Sequence, residues 1–531
     1  MSADGKTRVV ILGGGFGGCF VAKRLERRLS KRAPVEISLV NRDNYFVFQP
    51  LLAEVASGQI LPHQVVNPIR RMLRRTRFFE SEVDAMDLQK REVSIYVADG
   101  RRLRVLPFDH LVLALGSVVN LTGLPGLAQH SLQMKNLGDA FYLRNHVLGC
   151  LEHADIEPDP EIRRSLLTFV VVGGGFSGVE TTGELQEMVE NALSAYPNVP
   201  HSEVKFILVQ SPERILPEVV PGLAEYARRR LESRGVEILV KTRCTAATAD
   251  SVLLTGGRKI QTRTLVSTVG NSPHPLITAL PLKKEKGRVV VRSTLAVPEV
   301  EGIWALGDCA WVAHPDSGMV YGPTAQNAIR QAATCADNIV ATLERKPLRL
   351  FRFHELGKLA SIGRRSAVAE VVGLKISGIL AWFFWRTVYL LKLPGWDRRL
   401  RVAIDWTIDI FFKRDLTQLK VFRSERVDQA HYEAGETIVT QGEIGDRFFI
   451  IAQGQVEVLR EDAGGTSRVA TLGQGEHFGE VALLQECRRT ATVRATQPTD
   501  LLCIGRGDFE AFARNFNVLR ASFGDALKPR A

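Results

Sequence analysis

Cysteine is sparse and unpatterned. The seven thiols, Cys19, Cys150, Cys244, Cys309, Cys335, Cys487 and Cys503, contain no C-x-x-C pair and no metal-ligand spacing. A redox dithiol and a metal site are therefore not expected, and a reducing cytoplasm is. Long apolar runs are also missing. The longest, Ile376 to Leu393, carries Arg386 and Lys392 and falls short of the ~20 clean residues a spanning helix needs. No charged-then-apolar leader precedes the first apolar strand at Val9 to Leu12, so no secretory signal is expected. With 45% hydrophobic and 24% charged residues, neither disorder nor a multi-pass membrane protein fits. The 531 residues suggest roughly three or four domains. The net charge of +11 points to an anionic partner: nucleic acid, a membrane surface or a polyphosphate cofactor.

What is present is glycine, in two short loops. TRVVILGGGFGGCFVAKRL reads as a strand, then Gly13, Gly15 and Gly18 in G-x-G-x-x-G spacing, then a helix beginning near Cys19. The first glycine makes the turn, the second lets backbone approach a pyrophosphate, and the third packs helix on strand. The next strand, Val35 to Val40, ends at Asn41, where a ribose-binding residue belongs. The pattern recurs in LLTFVVVGGGFSGVETTGEL at Gly173, Gly175 and Gly178, and the following strand, KFILVQ, ends at Gln210. Two such units imply two dinucleotides. After the second unit closes at LVSTVGNSPHP, EGIWALGDCA forms a short strand ending in Gly307-Asp308, and an aspartate there suits a flavin's ribityl chain. The expected fold is α/β, with a nicotinamide-binding Rossmann-like domain inserted in an FAD-binding one.

GGGFGG at 13–18, GGGFSGVE at 173–180 and GDCA at 307–310 resemble the two-dinucleotide-binding flavoproteins, which include the pyridine nucleotide-disulfide oxidoreductases. The resemblance implies FAD on Gly13, Gly15, Gly18, Asn41 and Asp308, and NADH or NADPH on Gly173, Gly175, Gly178 and Gln210. NYFVFQPLLAEVASG (44–58) and YGPTAQNAIRQAATCADNI (321–339) narrow the likeness to the type II NADH:quinone oxidoreductases, the non-proton-pumping respiratory dehydrogenases. It implies Gln326 and Gln331 as quinone contacts, beside the plain alternative of amides that satisfy nearby backbone. It also implies Glu180 as a catalytic carboxylate near nicotinamide and flavin, compatible with a simple helix-start role. There are two departures. Gln210 stands where relatives often carry an acid that accepts the ribose hydroxyls and repels a 2′-phosphate, so NADPH is expected to be tolerated. Leu356 stands where many relatives place a lysine near the flavin, with Lys358 two residues on.

GLKISGILAWFFWRTVYLLKLPGWDRRLRVAIDWTIDIFF sets Trp382, Trp385, Tyr389, Trp396 and Trp406 among Arg386, Lys392, Arg398, Arg399 and Arg401. This predicts a monotopic helix pair with aromatics at the headgroups and basic residues toward anionic lipid; a buried interdomain or dimer helix is the alternative. From about Arg423 to Phe516 short alternating runs punctuated by glycine predict a β-roll, closed by a helix at DFEAFARNF. The segment resembles a cyclic nucleotide-binding domain, with FGEVALLQECRRTATV as its phosphate-binding cassette. By that resemblance Gly479, Glu480, Ala482, Arg489 and Thr490 hold cAMP or cGMP, with Glu480 on the ribose 2′-hydroxyl, Arg489 on the phosphate, and the threonine as a feature that favours cGMP in certain relatives.

The expected division is 1–130 and 291–350 for FAD, 160–290 for NAD(P)H, 351–420 for the membrane-associating segment and 421–531 for the cyclic nucleotide-binding domain. The expected partners are a membrane quinone, surface lipids and a second copy in a homodimer, at the cytoplasmic face of the cell membrane, with no nucleic acid. Two rivals stand beside this reading. One is a sulfide:quinone oxidoreductase using Cys150 and Cys335; the other is a membrane-bound nucleotide sensor on an inactive flavoprotein.

Overall fold

The strand Thr7–Leu12 is an unbroken apolar run because it lies inside a parallel sheet, with Val9 to Leu12 at most 2% exposed. The computed structural model describes residues 5–30, 33–97, 102–121, 123–353, 356–412, 414–419, 428–445, 447–462, 465–484, 488–505 and 509. The described chain divides into two compact units, one from 1–80 and 107–419, the other from 81–106 and 420–531.

In the first unit a five-stranded sheet runs Ile303–Ala305, His110–Leu113, Thr7–Leu12, Val35–Asn41, Arg77–Glu80, all parallel. A second runs Leu132–Gln133, Thr264–Ser267, Thr168–Val172, Lys205–Val209, Val236–Leu239, also parallel. The chain leaves the first sheet after Leu113, builds the second, and returns at Ile303, so one dinucleotide fold is nested in the other. The helix after the first glycine loop, Phe16–Arg28, starts three residues before the expected Cys19. It packs against Ala325–Leu343, where Arg24 and Arg28 share Asp337 at 2.9 and 3.2 Å.

An antiparallel meander, Gly357–Gly363, Ser366–Val371 and Leu374–Gly378, delivers the chain to two helices, Ile379–Lys392 and Trp396–Phe411. Pro394 and Gly395, the latter at φ 89°, break them apart. The expected placement of aromatics at the headgroups needs correction. Trp382, Trp385 and Trp406 are 4%, 1% and 5% exposed, and Arg386 is buried with them. Its guanidinium lies 3.8 Å from the Trp382 ring centre and 4.7 Å from that of Trp406. The first helix packs onto the meander with Trp382 and Trp385 buried, and Trp406 on the second helix turns inward to donate to Glu54. The outward surface is instead mainly aliphatic and phenyl, with Trp396 the one predicted tryptophan on it: Leu380, Phe383 and Leu391 on one helix, and Trp396, Leu400, Ile404, Ile408 and Phe411 on the other. The second set recurs every three or four residues, one helical stripe. No described helix is long and apolar enough to cross a membrane.

In the second unit, Val83–Asp87, Glu92–Val97 and Arg102–Pro107 form a three-stranded sheet. The expected roll is present as two four-stranded sheets around Ile438, Phe449, Ile451, Val456, Leu472, Phe478 and Leu501. The predicted closing helix lies, apart from Phe509, outside the described residues.

Candidate active site

Each glycine of the two loops does a separate job. Gly13 and Gly173 hold φ of 103° and 109°, which a side chain rarely adopts. A Cβ on Gly18 would strike the Gly13 carbonyl, and one on Gly178 the Gly173 carbonyl. Gly15 and Gly175 differ: a Cβ on either meets nothing within 4 Å. No protein atom demands glycine there, so the open space beside each helix N-terminus fits a group outside the chain, and the residues suit the pyrophosphate of FAD and of NAD(P)H. At both strand ends an amide closes the loop. Asn41 Oδ1 accepts the Gly14 N–H at 2.7 Å, and Gln210 Oε1 accepts that of Gly174 at 2.7 Å. Gln210 also donates to the Arg214 carbonyl at 3.3 Å, while Arg243 donates to Ser211 Oγ at 2.7 Å.

Asp308 accepts from Ser117 Oγ at 2.9 Å; Lys135 Nζ donates to the same hydroxyl at 3.0 Å and to Asn271 Oδ1 at 3.1 Å. Burial pulls the Lys135 ammonium down, and Asp308 opposes this. The motifs did not disclose this chain of groups beyond Asp308; its polar character suits the hydroxyls of a ribityl chain. Gln331 sits behind it: buried, its Oε1 accepts the Gly307 N–H at 2.7 Å. Gln326 is elsewhere on the same helix, accepting the Leu356 N–H at 3.2 Å and donating to the Gly357 carbonyl at 3.4 Å.

A cavity of about 560 Å³ is lined by Lys135, Asn271 and Gln326 of these groups. Phe16 and Phe176, the first residues of the two glycine-loop helices, line it together with Glu180, Gln326, Lys358 and Tyr389. Leu356 does not line it and is half exposed; Lys358 does, donating to the Glu218 carbonyl at 2.7 Å. Glu180 accepts the Ser361 N–H at 3.1 Å. Burial pushes its carboxyl up to about 8, the Ser361 N–H resisting and the charge of Glu184 adding to the rise. Behind it, Glu184 takes hydrogen bonds from Ser361 Oγ at 3.4 Å and Ser57 Oγ at 3.1 Å, and Glu54 takes one from Trp406 Nε1 at 2.8 Å. Burial raises both of these carboxyls as well. Arg414, its side chain 3% exposed, faces Asp409, Glu187 and Glu184 at 3.1, 3.3 and 3.7 Å.

Sequence reasoning missed this cluster. Its one local signal is the spacing of Glu180, Glu184 and Glu187, which share a helix face. Glu54 and Arg414 come from distant segments. No cysteine is among the residues lining the cavity. Cys335 is fully buried and Cys150 nearly so, and burial raises both thiols. Among the described residues the sulfide alternative therefore has no reactive sulfur at the cavity.

In the roll, Glu480 opens the short helix Glu480–Leu484 after Gly479 at φ 94°. Arg489 is buried, donating to the carbonyls of Gly479 at 3.1 Å and Arg447 at 2.8 Å. Gly445 lies beside Ala482 and Arg489; a Cβ there would strike that of Ala482 and press on the Arg489 guanidinium. Gly479, Glu480, Ala482 and Arg489 are thus brought together, with Thr490 exposed beside them. One Glu480 carboxylate oxygen is buried with no hydrogen-bond partner among the described residues, an acceptor that fits a ribose hydroxyl.

Residues 7–332 match the pyridine nucleotide-disulphide oxidoreductase family, 355–415 the NDH2 C-terminal domain and 429–516 the cyclic nucleotide-binding domain. The chain is 33% identical over 425 residues to a type II NADH:quinone oxidoreductase of Mycobacterium tuberculosis, covering 77% of this chain and 88% of that protein. Among solved structures, NDH2 of Plasmodium falciparum with RYL-552 superposes at TM-score 0.72 and 19% identity, over 78% of this chain and 100% of its own. The sulfide:quinone oxidoreductase of Aquifex aeolicus reaches 0.59 at 16% identity, over 77% and 96%; both likenesses speak to the fold. Two nested dinucleotide folds, the shared cavity and these matches lead to one conclusion: the chain belongs to the type II NADH:quinone oxidoreductases of the pyridine nucleotide-disulphide oxidoreductase family, and it carries a cyclic nucleotide-binding domain after the catalytic part.

Proposed function

We propose that the protein passes hydride from NAD(P)H to FAD and two electrons on to a membrane quinone, without proton pumping, while lying on the cytoplasmic face of the membrane. The observation that carries this is the single cavity lined by both glycine-loop helices and by Tyr389 and Lys392. The helix of those two residues turns Leu380, Phe383 and Leu391 outward, so one wall of the cavity is also part of the apolar surface. FAD, when bound, supplies hydride acceptance and two-electron release. The chain supplies position and a proton. Phe16 and Phe176 flank the space, Gln326 lines it with its amide held by the Leu356 and Gly357 backbone, and Gln331 is a positioning residue that holds the Gly307-Asp308 turn. Reducing a quinone with one hydride leaves one proton to be taken from solvent per turnover. Glu180, protonated at neutral pH, is the group placed to give it. Purified protein loaded with FAD should bleach on adding NADH and regain its yellow colour with a soluble quinone; bleached protein that quinone leaves unchanged overturns the proposal.

NADPH should be used as well as NADH, because Gln210 carries no charge to repel a 2′-phosphate and Arg243 stands at the adjoining Ser211. Gln210→Glu keeps an acceptor for the Gly174 N–H and adds that charge. It should lower the NADPH-to-NADH ratio of kcat/KM by about tenfold, the equivalent of ~1.4 kcal/mol. An unchanged ratio removes Gln210 as the discriminating residue.

The roll extends the reading to cAMP or cGMP. The Glu480 oxygen that has no partner among the described residues suits the 2′-hydroxyl, and a cyclic phosphate would draw the Arg489 guanidinium from its carbonyl partners into a charge-assisted hydrogen bond. Calorimetry on the full chain should show heat with one of the two nucleotides and none with Arg489→Leu. Absence of heat from wild-type protein with both leaves a scaffold. Regulation would require the nucleotide to bind two states of the enzyme unequally, and quinone turnover with and without it reads that directly.

A further inference from the structure

Apart from the catalytic cavity, the first unit has a second hollow of about 430 Å³, bounded by Lys23, Asn67, Arg71, Arg74 and Arg398, with the turn Pro394-Gly395 and Asp397. Four of these side chains are cationic and one is a carboxylate, which faces Arg398 at 3.7 Å. Asn67 is 6% exposed, and its Nδ2 has no hydrogen-bond partner among the described residues. A buried amide donor without an acceptor, among surplus cations, is a site for an anion that offers oxygen atoms. Burial, together with the charge of Arg27, holds the Lys23 ammonium below its ordinary range, and an anion beside it would reverse that. None of the glycines or strand-end amides that fit FAD and NAD(P)H borders this hollow.

We infer that this hollow binds the phosphate of an anionic phospholipid. The wall formed by Pro394 and Gly395 is the turn joining the two amphipathic helices, and the residue after it, Trp396, is 81% exposed, with Leu400 one turn on at 63%. A phosphate ester held here has apolar surface beside it for its acyl chains, which a soluble phosphate would not use. The inference rests on the proposed membrane association and adds to it a defined headgroup site.

The test is cosedimentation of the FAD-loaded, full-length protein with phosphatidylcholine vesicles, with and without phosphatidylglycerol. Phosphatidylglycerol should strengthen binding. Asn67→Leu should remove much of that gain, about fivefold or more, although it changes no charge and breaks no hydrogen bond of Nδ2. Arg71→Gln with Arg74→Gln should do the same at about fivefold per charge, while binding to phosphatidylcholine alone is kept. A gain in Asn67→Leu equal to wild type, or equal losses from the pocket pair and from Lys375→Gln with Arg401→Gln outside it, would mean diffuse surface charge and overturn the site. Inorganic phosphate that cancels the phosphatidylglycerol gain at the same concentration as the lipid would assign the hollow to a free anion and overturn the lipid. Leu380→Asp with Phe383→Asp tests the underlying reading separately: loss of binding to both vesicles is expected, and a variant that still binds both as wild type does would show that the helix pair is not the membrane-facing surface.

Discussion

Glu180→Gln is expected to slow quinone-dependent turnover by about 10²-fold while FAD stays bound, the lower end of what loss of a positioned acid costs. Glutamine keeps the size and can still accept the Ser361 N–H, so the cavity should keep its shape. The pH profile identifies the mechanism. With its carboxyl pushed up to about 8 by burial, Glu180 is the protonated donor through neutrality, and wild-type turnover should fall tenfold per pH unit above about 8. The variant should be flat through that range. Stability has a matching sign. The folded pKa lies above the unfolded one near 4.5, so the stabilisation is complete below that value and is lost as pH rises toward 8. The glutamine variant should therefore gain on wild type in denaturant midpoint as pH is raised. Parallel pH profiles for the two proteins would remove Glu180 as the donor.

Arg414→Met is the second large effect, and it acts on the fold. Three carboxylates, Asp409, Glu187 and Glu184, converge on this one guanidinium. Removing one partner of a buried ion network typically costs about 3–5 kcal/mol, chiefly because the remaining charges lose compensation. Chemical denaturation followed through the tryptophans of the helix pair should show a loss of that size at pH 8. Without the cation the carboxylates take up protons more readily, so the deficit should shrink as pH falls. Arg414→Lys, which keeps charge but not the fork, should recover part of it. Wild-type stability for the methionine variant at pH 8 would show that the cluster does not depend on Arg414.

The two nucleotide loops were readable from the chain because their requirements are local. A positive φ at Gly13, a helix pressed on the Gly13 carbonyl at Gly18 and a backbone left bare at Gly15 involve residues within one turn of each other. The meaning of Gln331 was not readable. Gln326 and Gln331 belong to one motif on one helix, and both amides are held by backbone, yet one side chain lines the cavity and the other is buried on Gly307, a distinction set by where the strand Ile303–Ala305 ends. The tryptophans were misjudged for a related reason. On a helix as apolar as Ile379–Lys392 little polar surface marks the outside, so which rings turn inward depends on the partner surface. Arg386, read as a lipid-facing base, is instead buried between two indoles.

Taken by itself, the order of residues determined that there would be two dinucleotide folds, one inside the other, an amphipathic helix pair and a β-roll, since periodicity and glycine spacing are properties of neighbouring residues. Tertiary structure alone decided the proton chemistry and the anion hollow. The raised carboxyl of Glu180 comes from burial by segments hundreds of residues apart, and the hollow comes from Lys23, Asn67 and Arg71 meeting the turn at Gly395. Desolvation and charge convergence are set by distance in space, and no spacing along the chain carries them.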